Sequence, residues 1–294
     1  MRTSTTRRGT MKKQFALVLA LGVLLGACGQ PGSRVGSSDA LHLISAASAK
    51  TNEASTARIS VDMNMEFNGQ AVDAHADGAM EIAKKLAHMT MTMSGAGLPE
   101  GFDMEMVMDG FKMYYKMPPE LGGSTSSGKP WIFIDMQAFG ESQGMDYNAM
   151  SQAGGSNPLQ LLEYLNGVAG EVKTVGDEEV RGVITTHYSA AIDFDKMAEN
   201  APARYREAIK ASVDVMKQQL GDATAPIEVW VGEDGYVHRF SMSFDASDSP
   251  SGSFKMTMTM EMFDFGAPVD IQIPPASQVT DRSGLMGTSA SPSP

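Results

Sequence analysis

The chain has 294 residues, 42% apolar and 20% charged, with 35 acidic side chains against 23 basic ones and a formal charge of −12. That balance excludes a nucleic-acid binder, which needs a concentrated basic surface. A single cysteine excludes both an intramolecular disulfide framework and a multi-cysteine zinc site.

Twelve Phe and seven Tyr make the chain too apolar for a disordered segment. Its outlying feature is 24 methionines, twice the phenylalanine count. The first element is a leader. Arg7, Arg8, Lys12 and Lys13 precede an apolar run from Phe15 to Ala27, a basic flank and hydrophobic stretch of the secretory kind, too short to span a bilayer comfortably. The run ends Leu25-Gly26-Ala27-Cys28, which resembles a bacterial lipobox: an aliphatic residue, two small ones, and the cysteine that becomes residue one. The thiol accepts the diacylglyceryl group, and small neighbours admit the peptidase. Residues 1–27 are thus expected to be a lipoprotein signal peptide and Cys28 the lipidation site. The segment around Arg7-Arg8 partly resembles a twin-arginine motif but lacks its aromatic, and Met11 is a second possible start, so the export route stays open.

Lipidation consumes the only thiol. Cleavage also removes five cations (Arg2, Arg7, Arg8, Lys12 and Lys13), taking the side-chain charge from −12 to −17. Charge then cannot hold the protein to anionic lipid; the acyl chains must, at about 0.8 kcal/mol per buried methylene. The Gly/Ser/Pro-rich stretch to Ser37 reads as a flexible tether whose nine residues reach about 30 Å. A single domain is expected over 38–280, and a disordered tail over 281–294.

Within the domain, Ser38 or Asp39 caps a helix to Lys50 with Leu41, Leu43, Ile44 and Ala47 along one side. The pair Asn157-Pro158 opens a second helix, carrying Leu159, Leu162 and Leu165. A third runs from Asp195 to Leu220, with Met197, Tyr205, Ile209, Val213, Met216 and Leu220 near helical spacing. Gly221 caps it, and Ala201-Pro202 splits it.

The rest alternates with period two. The apolar rows are Val61-Met63-Met65-Phe67, Met89-Met91-Met93, Phe102-Met104-Met106-Met108 and Phe111-Met113-Tyr115-Met117, with a strand from Trp131 to Met136. Later come Ile227-Val229-Val231, the turn Glu233-Asp234-Gly235, Phe240-Met242-Phe244, and Phe254 to Met262 at every second position. The fold class expected is α+β: roughly ten antiparallel strands in one curved sheet, one face apolar and one solvated, with helices across the concave apolar face.

Methionine is the flexible, polarizable side chain that proteins over-use where an apolar surface must accept varied shapes. In strands, Val or Ile would suit the pleat better. The expected guest is an acyl chain, and the expected lining is Met63, Met65, Phe67, Met91, Met93, Met104, Met106, Met113, Met256, Met258 and Met260. Thioethers also suit Cu(I), a weaker reading because the rows occur in nearly every strand and the five histidines are scattered. Gly140-Glu141-Ser142-Gln143-Gly144 matches a serine-hydrolase elbow, but that motif needs a parallel strand before it and a helix after it. No phosphate loop, dinucleotide fingerprint or His/carboxylate metal cluster is visible. The residues point to a binder, neither an enzyme nor a cofactor protein.

Several stretches carry a family resemblance: Asn157-Pro158-Leu159-Gln160-Leu161-Leu162, Val180 to Tyr188 with Ile192-Asp193, Gly232-Glu233-Asp234-Gly235, Asp264 to Ile271, and Pro274-Pro275. With the lipobox and the early helix, the chain resembles the actinobacterial LppX/LprG-type lipoproteins of the LolA-like superfamily. The resemblance implies a half-barrel of strands around helices, an apolar cavity for acyl chains, and a role in carrying or presenting lipid or glycolipid at the cell envelope. The expected protein is a monomer on the outer face of the cell membrane, lipid-anchored. The alternative is a non-carrier envelope module that docks a protein partner by its acidic face.

Overall fold

The computed structural model describes residues 37–95, 97–98, 102–116, 128–138, 162, 171–200, 203, 206–207, 209–211, 213–214, 225–247 and 252–283. All lie in one compact unit. Helix α1 (Ser37–Glu53) carries Asp39 in its first turn and Lys50 in its last, charges placed to suit the helix dipole. Its inward side is Ala40, Ile44, Ala47, Ser48 and Thr51, spaced as one helical stripe.

The described residues contain twelve strands: β1 (Thr56–Phe67), β2 (Gln70–Glu81), β3 (Leu86–Gly95), β4 (Phe102–Asp109), β5 (Lys112–Lys116), β6 (Trp131–Asp135), β7 (Lys173–Val180), β8 (Val183–Ile192), β9 (Ala225–Gly232), β10 (Val237–Ala246), β11 (Phe254–Phe263) and β12 (Val279–Asp281). They form one curved, unclosed sheet in the order β12-β6-β5-β4-β3-β2-β1-β11-β10-β9-β8-β7. Two meanders therefore meet: β1 to β6 runs outward on one side, β7 to β11 on the other, and β1 pairs with β11 antiparallel. The β1–β2 hairpin turns at Asn68-Gly69 and the β7–β8 hairpin at Arg181-Gly182, with φ positive at all four residues, the backbone that two-residue hairpins of right-handed twist require. One pairing departs from the antiparallel expectation: β12 lies parallel to β6.

Helix α1 rests against β7, β9 and β10. On the apolar side of that end, Ile227, Val229, Val237 and Phe240 are all but completely buried, each worth about 1.5–3 kcal/mol of transfer free energy. The buried Thr51 hydroxyl donates to the Ala47 carbonyl at 2.7 Å and accepts the Val237 amide at 2.9 Å. It thereby ties the last turn of α1 to the start of β10. Lys50 donates to the Asp234 carbonyl and lies 4.6 Å from the Tyr236 ring centroid.

The other face is not wholly solvated as expected. Leu86, Val107 and Trp131 are buried there, with Tyr114, Ile271 and Val279 packed against them. The cover is the segment after β11, which crosses back to β6. It is held by Thr56, whose carbonyl accepts the Gly266 amide and whose hydroxyl donates to Ala267, at 2.9 and 2.7 Å. Farther on, Lys129 Nζ donates to the Val279 carbonyl, the Arg282 amide to the Phe133 carbonyl, and the Asp135 amide to Ser283 Oγ, each at 2.9 Å. These bonds join residues 279–283 to the β6 side of the sheet. Pro274 and Pro275 lack an amide hydrogen, which keeps the run before β12 out of a ladder.

Helix α2 spans Phe194–Asn200, starting one residue before the expected Asp195, and Asp193 caps it. The Asp193 carboxylate accepts the amides of Asp195 and Lys196 at 3.1 Å, as N-cap residues do. The bond from Lys196 is the main reason its pKa lies below the usual aspartate value. Of the helix expected at Asn157-Pro158, only Leu162 is described, helical and buried. Gly140 to Gly144 and Cys28 lie outside the described residues.

The methionine face as a candidate functional site

Strand pairing gathers the methionine rows onto one face. In β1 the odd-numbered residues point to it, and the register sets Val61 opposite Met260, Met63 opposite Met258, Met65 opposite Met256 and Phe67 opposite Phe254. The next strand outward brings Phe240, Met242 and Phe244 opposite Met260, Met258 and Met256. On the other side of β1, Met91 faces Met104, Met93 faces Phe102, Met89 faces Met106, and Met108 faces Met113. Directly opposed Cβ atoms lie about 4.5–5.5 Å apart, so these thioethers form a nearly continuous apolar layer.

Between the two groups runs β2, which presents Val72, Ala74, Ala76 and Gly78 on the same face. Met63 and Met93 are thus both neighbours of Ala74. At Gly78 a side chain has no room: a Cβ would stand 2.2 Å from the His88 carbonyl oxygen and 2.7 Å from Met89 Cγ.

Of the residues expected to line a cavity, Met63, Met65, Met91, Met93, Met104, Met113, Met256, Met258 and Met260 are half-buried and Met106 is buried. Phe67 is 55% exposed at the end of β1, beside the hairpin turn. The face also holds Met89, Met108, Met242 and Tyr115, whose hydroxyl donates to Met113 Sδ at 3.2 Å and whose pKa burial pushes up. Met262 is fully buried. The face grades from a packed end under α1 to a half-buried end where the methionines concentrate.

The opposite face is polar and heavily cross-linked. His75 sits between Asp62 at 2.6 Å and Asp77 at 3.0 Å, and these hydrogen bonds, Asp62's foremost, raise its pKa. Asp77 is lowered, first by its bond from Ser60 and then by His75. Farther along, Arg239 bonds Glu178 at 3.0 Å and Glu261 at 2.7 Å, while Arg181 bonds Glu261 at 2.6 Å. Burial pushes Glu261 up, but the two arginines outweigh it and leave it below the usual glutamate value. His187 stacks on Trp230 at 4.1 Å and bonds Glu228 at 2.6 Å.

A pocket of about 270 Å³ lies between this face and the crossing segment, lined by Arg58, Asp77, His88, Thr90 and Pro268 to Ile271 among others. It is polar and below the size of usual ligand sites. Among the described residues, no group of three or more His, Cys, Asp or Glu could hold a metal ion. Among them, too, no helix is long and apolar enough to cross a membrane.

The sheet is thus curved and unclosed, apolar on one side, with a helix across one end of it. The chain is similar to the Mycobacterium tuberculosis lipoprotein LppX, with 14% identity, coverage of 79% of this chain and 97% of that one, and a TM-score of 0.45. It is also similar to LprF from Mycobacterium bovis, with 15% identity, 82% and 99% coverage and a TM-score of 0.42. In sequence it is 28% identical over 248 residues to an uncharacterized 31.2 kDa protein of Streptomyces griseus from the rplA-rplJ intergenic region, covering 81% of this chain and 77% of that protein. No protein-family model matches it.

Proposed function

We propose that the chain is a lipoprotein of the cell envelope, anchored to the outer face of the membrane through acylated Cys28, that binds the acyl chains of a lipid or glycolipid against its methionine face. The observation that carries this reading is the strand register: it assembles thioethers from both meanders into one half-buried apolar layer. An alkyl chain of about fifteen carbons offers on the order of 10 kcal/mol on burial, before ordering costs. Methionine suits such a guest because three rotatable bonds let it follow a long, featureless shape.

Organic extraction of the purified chain followed by mass spectrometry tests the reading. Co-purifying lipid supports it; an extract free of lipid, together with no uptake of added lipid, contradicts it. The rival, docking of a basic protein on the acidic face, is disfavoured by the contacts there. Asp62 and Asp77 are engaged by His75 and Glu105 by Lys116, so these carboxylates already hold partners within the molecule.

A further inference from the structure

Four thioethers far apart in sequence meet at the junction of the two meanders. Met63 stands opposite Met258 and Met65 opposite Met256, all on the apolar face and all half-buried. Opposed Cβ atoms are about 5 Å apart, and same-face neighbours along a strand about 6.8 Å, so the four side chains occupy the corners of a rectangle. A metal–sulfur bond of about 2.3 Å, the length of a zinc thiolate bond, requires each sulfur to lean roughly 2 Å toward the centre. An unbranched side chain with three rotatable bonds reaches that far.

The donor set selects the ion. Thioethers are neutral and soft, so they favour Cu(I) over the hard divalent cations that want carboxylates, and the aspartates and glutamates of β1 and β11 point to the other face. We propose that Met63, Met65, Met256 and Met258 form a binding site for one Cu(I) ion. Met242, opposite Met258 on β10, stands beside the quartet as a further thioether. A second rectangle, Met89, Met91, Met104 and Met106, has the same register, but Met89 and Met106 are buried, which closes it to an incoming ion and makes it an internal control. The site does not rest on the acyl-chain reading: leucine in place of methionine keeps the apolar volume that lipid needs and removes the sulfur that copper needs.

The test is an anaerobic competition between the full-length chain and a chromophoric Cu(I) chelator, with Cys28→Ser in every variant to remove the thiol. Ag(I), a redox-inert probe, is titrated in parallel into protein labelled at the methionine methyl groups and followed by NMR. One Cu(I) withdrawn per chain, methyl shifts from the quartet, and binding at least about tenfold weaker in M63L/M258L but unchanged in M91L/M104L support the site. Circular dichroism checks the fold of each variant, and M65L/M256L replaces the first pair if that pair does not fold. No withdrawal of Cu(I), unaltered affinity in both quartet pairs, or equal weakening in M91L/M104L overturns it.

Discussion

Met63 on β1 stands directly opposite Met258 on β11, and this contact between the first and last long strands closes the molecule's apolar face. Everything on that face depends on the register it sets, because a one-residue slip would turn each methionine to the polar side. Phe67↔Phe254 and Arg58↔Phe263 mark the two ends of the same ladder.

Gly78 is a position where that face has no room for a side chain. A Cβ there meets the His88 carbonyl oxygen at 2.2 Å, a backbone atom that cannot swing aside. Gly78→Ala is expected to destabilise the fold by about 1–3 kcal/mol through overpacking, seen as a lowered midpoint in urea. The neighbouring Ala76→Gly is expected to cost less.

Thr51 is expected to matter more than its size suggests. Thr51→Val keeps the shape but leaves the buried Val237 amide without its acceptor, a loss of about 1–3 kcal/mol. Thr51→Ser is expected to retain most of the stability. Denaturant unfolding of the two variants beside the parent checks this, and equal losses would contradict the hydrogen-bond account.

The alternation made the sheet and its faces legible in the sequence, because Met, Phe and Val recur at every second position in β1, β3, β4, β10 and β11. It did not reveal β2, whose inward residues are mostly alanine and glycine and carry little hydrophobic contrast. Nor did it reveal β7, an edge strand with seven of its eight residues exposed. The pairing of β1 with β11 is a long-range choice that no local pattern encodes, so the methionine quartet was invisible until the register was known. Val107 and Leu86 broke the alternation because they serve the small core beneath the crossing segment, a cover whose prolines and scattered apolar residues have no period.

The His75 bridge predicts a pH dependence. Its folded pKa is raised, so its contribution is fully present below the unfolded value of about 6.5 and is lost as pH rises through the higher folded value. His75→Gln is therefore expected to destabilise the protein more at pH 5.5 than at pH 9. The effect is small, because His75 and both aspartates are half or more exposed. NMR titration of the His75 ring is expected to give a midpoint above 6.5; one below it would contradict the bridge.

The methionine face itself is tested most directly by uptake of a fluorescent fatty acid. The parent chain and a Met63→Leu/Met258→Leu variant are expected to take up the probe alike. A Met63→Asp/Met258→Asp variant, placing two carboxylates in the layer, is expected to lose uptake while retaining the circular-dichroism spectrum of the parent. Absence of uptake by the parent, or undiminished uptake by a folded Asp variant, would contradict acyl-chain binding on this face.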